Sequence, residues 1–139
     1  MSEDLKWFPS PFAPPDPEKL IEPLHVSFRS VVDLWPARPA VLHGDQVYSF
    51  SDLWGRIESL AHQIQASTQD LGTIALVQSL GVDAIAAWFA CSMTGRPFLL
   101  LEPGHPPARL TELIEAADAS LMICDAQTAL NLPNDLRAK

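Results

Sequence analysis

Three short apolar runs decide what this chain can become: Thr73–Val77 (TIALV), Pro97–Leu101 (PFLLL) and Leu121–Cys124 (LMIC). None alternates apolar with polar residues, as a strand with one wet face would. Between the first two, Val82, Ile85, Ala86, Phe89, Ala90 and Met93 recur at helical spacing, and Leu110, Leu113, Ile114 and Ala117 do so between the second and third. The order strand, helix, strand, helix, strand implies α/β architecture, with a parallel sheet, right-handed crossovers and helices flanking the sheet in a three-layer arrangement. Strands in such a sheet are covered on both faces, which explains the missing alternation and is the expectation for Pro97–Leu101. Ala84, Ala87 and Trp88 make the first crossover helix apolar nearly all round, so it is expected to be buried on more than one side. Three strands are fewer than a usual sheet holds, so the sheet is either small or part of something larger.

Upstream, Phe28, Val31, Val32 and Trp35 mark one face of a helix over about 26–35, ended by Pro36 and Pro39. Ala40–His43 and Val47–Phe50 flank Gly44-Asp45-Gln46 and read as a β-hairpin. Ser51 is the expected N-cap of a following helix, along which Leu53, Ile57, Leu60, Ala61 and Ile64 form the apolar stripe. A further short helix is expected after Asp125. Residues 1–24 have a different character. Six of the thirteen prolines fall by Pro23, with Trp7, Phe8 and Phe12 among them. That composition reads as an extended arm, followed by one α/β unit over 25–139.

Composition removes several function classes. The formal net charge is −8, and no basic stripe is present, so nucleic acid is not the expected partner. The longest apolar run, Ala84–Cys91, is too short to span a bilayer. Residues 1–24 lack the basic start and apolar core of a signal peptide. Cys91 and Cys124 are the only cysteines, each within an apolar stretch, which fits a reducing cytoplasmic setting better than a disulfide framework or zinc site.

In open parallel sheets, ligands sit beyond the carboxyl ends of the strands. Two such ends are candidates here. Gln78-Ser79-Leu80-Gly81 joins a strand to a helix start, where backbone N–H groups can hold an anion. No glycine-rich dinucleotide or Walker-type sequence accompanies it. In the second, Glu102–Pro107, Glu102 is either a general base or ribose partner, or a carboxylate that accepts bonds from the next helix start. His105 is the titratable neighbour, and Pro106-Pro107 suit a first helical turn. His25, His43, His62 and His105 do not form a metal-ligand spacing, with His62 expected in solvent. Ser79 and Ser92 lack a nucleophile-elbow context, and Trp35, Trp54 and Trp88 fall on or beside apolar helix faces, as core or interface residues do.

Residues 25–125 resemble the start of the adenylate-forming (AMP-binding) enzymes, which include acyl-CoA synthetases, luciferases and the adenylation domains of nonribosomal peptide synthetases. YSFSDLW (Tyr48–Trp54) is similar to the family's first core motif: Phe50 and Leu53 match, and Asp52 stands where Glu is common. SMTGRPFLLLEPGHPPARL resembles the second, through Gly95, Phe98, Pro103, Pro106, Arg109 and Leu110, with Glu102 in place of the usual Asp. The resemblance covers most of the chain but roughly the first quarter of such an enzyme. It implies an N-terminal subdomain ending before the phosphate loop. For a complete enzyme it implies ATP and Mg²⁺ as cofactors, a carboxylate activated as an acyl-adenylate, and transfer to coenzyme A or to a carrier-protein phosphopantetheine. Both motifs are mainly structural in the family, so no catalytic, cofactor-binding or metal residue is assigned to this chain. The expected partner is the remainder of the enzyme. The alternative is a free-standing interaction or dimerisation domain that retains the fold and pairs with itself through exposed apolar faces.

Overall fold

A computed structural model describes residues 21–132. Its elements run α1 (Leu24–Leu34), β1 (Pro39–His43), β2 (Gln46–Ser49), α2 (Phe50–Ser67), β3 (Thr73–Val77), α3 (Val82–Met93), β4 (Phe98–Leu101), α4 (Pro107–Ala116), β5 (Ala119–Cys124) and α5 (Ala126–Asn131). β1 and β2 pair antiparallel around Gly44-Asp45, and the glycine takes φ +58°, a conformation that suits a residue without Cβ. The other strands form a parallel sheet in the order β4-β3-β5.

Strand periodicity and crossover handedness together build the layers. Ile74 and Leu76 point to one face of β3, where Leu121 and Ile123 of β5 join them beneath α2 and α3. Ala75 and Val77 point to the other, where Leu99, Leu101, Met122 and Cys124 meet Leu110 and Ile114 of α4 and Leu132 after α5. The step from β3 to β4 and the step from β4 across to β5 run in opposite directions along the sheet. Right-handed crossovers then put α3 and α4 on opposite faces, as observed. A third cluster joins Val32 of α1, Leu53, Trp54 and Ile57 of α2, and Val82 and Ala86 of α3, with Phe28, Phe50 and Phe89 packed against it. Helix α3 therefore contributes to two clusters, as its all-round apolar character predicts. The described residues contain no helix long and apolar enough to cross a membrane.

Two local expectations change. The N-cap of α2 is Ser49, not Ser51. Ser49 Oγ accepts from the Asp52 N–H at 3.1 Å, and the Asp52 carboxylate accepts from the Ser49 N–H at 2.9 Å, a reciprocal capping box that Ser51 lacks the spacing to make. The bond from the Ser49 side chain, followed by that from its backbone N–H, holds the Asp52 carboxyl below its ordinary range. Because the folded value is the lower one, this contribution is intact at neutral pH and is lost as pH falls through it. Ser49→Ala is expected to lower stability by about 1 kcal/mol, read from urea denaturation at pH 7. An unchanged midpoint would refute the cap. The second change concerns β4. The sequence predicts cover on both faces, but Phe98 and Leu100 are each 43% exposed. Among the described residues β4 is an edge strand, and neither side chain belongs to the cluster beneath α2 and α3. The proline- and aromatic-rich stretch up to residue 20 lies outside the described residues.

Candidate functional site

The carboxyl ends of β3 and β5 open into a broad cleft of about 1020 Å³. Its walls come from the hairpin (His43, Gln46, Tyr48), from α2 (Asp52, Arg56, Gln63), from Gln78–Asp83 and from Cys124-Asp125. The Gln78–Gly81 turn thus lies where the sheet rule puts a ligand. Helix α3 begins there without a side-chain cap. The hairpin closes over the turn: a Cβ added at Gly81 would come within 3.3 Å of the His43 ring. Arg56 ties the walls together. Its guanidinium bonds Asp83 at 2.6 Å and lies over the Tyr48 ring at 5.0 Å. Both partners of that ion pair are well exposed, so it steadies the entrance more than it stabilises the fold.

The cleft's charge is informative. Asp52, Asp83 and Asp125 line it against Arg56 and His43. Arg56 is committed to Asp83, and Asp125 caps α5 by accepting from the Thr128 N–H at 2.7 Å. That bond to Thr128 holds the Asp125 carboxyl below its ordinary range, so it is an anion at neutral pH. The chain's three lysines, Lys6, Lys19 and Lys139, all lie outside the described fold. Among the described residues, no group of three or more His, Cys, Asp and Glu could hold a metal ion. An ATP triphosphate with Mg²⁺ needs cations, free backbone N–H groups and oxygen ligands converging on it. The uncapped start of α3 offers backbone N–H groups, whereas the one arginine in the lining, Arg56, is paired with Asp83.

The second sequence candidate, Glu102–Pro107, faces a smaller cleft of about 390 Å³, lined by Pro103, Gly104, His105, Leu110, Gln127 and Thr128 among others. Glu102 is exposed and is not part of that lining. Its side chain does not cap the next helix: α4 starts from Pro106 without a side-chain cap bond, and its first position is a proline that needs none. Only the Glu102 carbonyl takes part in the turn, accepting from the His105 N–H. The two carboxyl-end segments therefore line separate clefts.

The remaining candidates lie elsewhere in the fold. His62 is exposed. His25 Nδ1 lies 3.0 Å from Ser92 Oγ, linking α1 to α3. Cys91 is fully buried, and burial pushes its thiol up to about 11, while burial and then Asp125 raise that of Cys124. Neither is an activated nucleophile at neutral pH. Trp54 is buried and Trp35 and Trp88 are half-buried, in keeping with core roles.

Sequence reasoning missed Arg96. It is 5% exposed and sits at the opposite, amino end of the sheet, where Nε donates to the Gly72 carbonyl at 2.9 Å and Nη2 to Ser120 Oγ at 2.7 Å. The available signal was a cation set directly before an apolar strand, in Gly95-Arg96-Pro97.

Comparison with known proteins fits this geometry. The family model described as "AMP-binding enzyme" matches residues 28–139. N-(5-amino-5-carboxypentanoyl)-L-cysteinyl-D-valine synthase of Penicillium rubens is 29% identical over 123 residues, which is 86% of this chain and 3% of that protein. The solved structure of IdnL1 is 31% identical with a TM-score of 0.68, over 75% of this chain and 21% of that one. The N-terminal subdomain of Klebsiella oxytoca NpsA shares the fold at a TM-score of 0.70 and 18% identity, over 76% of this chain and 28% of that one. The chain thus spans a small part of the relatives it matches. Two core motifs, a three-layer parallel α/β unit and a family match over residues 28–139 lead to one assignment: this chain belongs to the AMP-binding enzyme family.

Proposed function

We propose that this chain is the N-terminal part of an ATP-dependent, carboxylate-activating ligase and does not complete catalysis by itself. The observation that carries this reading is a family match over residues 28–139 on a fold covering 21% to 28% of the similar solved chains. The lining of the main cleft supports it, because its carboxylates would repel a triphosphate. In the complete enzyme, a carboxylate attacks the α-phosphate of ATP and releases pyrophosphate, and a thiol of coenzyme A or of a carrier protein then takes the acyl group. The residues of this chain serve that chemistry as scaffold. They supply a rigid sheet end and hold the hairpin, through Arg56 and Tyr48, against the start of α3. A cytoplasmic setting belongs to the same reading, supported by two unpaired thiols.

ATP–pyrophosphate exchange tests the reading. The purified chain, offered a panel of amino, aryl and fatty acids, is expected to give exchange at the level of a protein-free blank. Adenylation of any carboxylate by the chain alone would overturn it. The alternative, a free-standing domain that pairs with itself, is favoured by the half-bare face of β4. It requires a dimer in light scattering.

A further inference from the structure

We draw no further inference here: the strongest candidate, the broad cleft beyond the carboxyl ends of β3 and β5, is the site already described, its three carboxylates are engaged in the α2 capping box, the Arg56 ion pair and the α5 cap, and nothing in the structure shows what occupies it.

Discussion

Leu76→Ala lowers the free energy of unfolding by about 3 kcal/mol, within the roughly 2–5 kcal/mol range of buried leucine truncations. Leu76 lies in the central strand, is fully buried, and shares its cluster with Ile74, Ala87, Ala90 and Cys91. Removing its side chain leaves a void between the sheet and α3, where alanines already bring the helix close and leave little side chain to move into the gap. Leu100→Ala supplies the control. It occupies the same row one strand away, but at 43% exposure it has less apolar surface to lose, and a cost below about 1 kcal/mol is expected. Urea denaturation with an unchanged slope checks both. Equal losses at the two positions would contradict the layer arrangement.

That difference within one row also marks where sequence reading stops. Residues 73–77 and 98–101 look alike as sequence, two short apolar runs without alternation. Central and edge positions are properties of strand order, which no run of residues encodes locally. The order β4-β3-β5 emerges only when helices bridge the strands, so equal cover for both was the natural expectation and failed for Phe98 and Leu100. Helices were more legible, because their stripes report their own burial: of the stripe on α2, Leu53, Ile57, Ala61 and Ile64 are buried and Leu60 is half-buried. The shift of the α2 cap from Ser51 to Ser49 is a matter of partners. Both serines fit an N-cap by residue type, and only Ser49 has an acid three residues on. At the candidate site, the sequence located both strand ends correctly but not their relation. Gln78–Gly81 and Glu102–Pro107 face different clefts, since α3 and α4 leave the sheet in opposite directions.

Arg96 carries the other large expected effect. Arg96→Ala is expected to cost about 3 kcal/mol, by opening a cavity and leaving two partly buried acceptors without their donor. The guanidinium joins three segments that are remote in sequence: its own loop before β4, the Gly72 carbonyl before β3, and Ser120 at the start of β5. Gly72 is fixed further by its N–H, which donates to Asp70 at 3.0 Å, and the Asp70 carboxyl is held below its ordinary range first by Ser120 and then by that N–H. A larger residue there would force Ser120 and Asp70 to shift, since a Cβ on Gly72 would lie 2.7 Å from Ser120 Oγ and 3.0 Å from the Asp70 carboxylate. Arg96→Met keeps the apolar stem and removes only the donors, so it isolates the polar contribution at about 1–2 kcal/mol. Arg96→Lys recovers only part of that, because one ammonium does not reproduce the planar fork that reaches both acceptors. A double-mutant cycle with Ser120→Ala is expected to be non-additive by about 1 kcal/mol. If Arg96→Met is as stable as the parent chain, the guanidinium is filling space, and packing alone fixes the amino ends of the three strands.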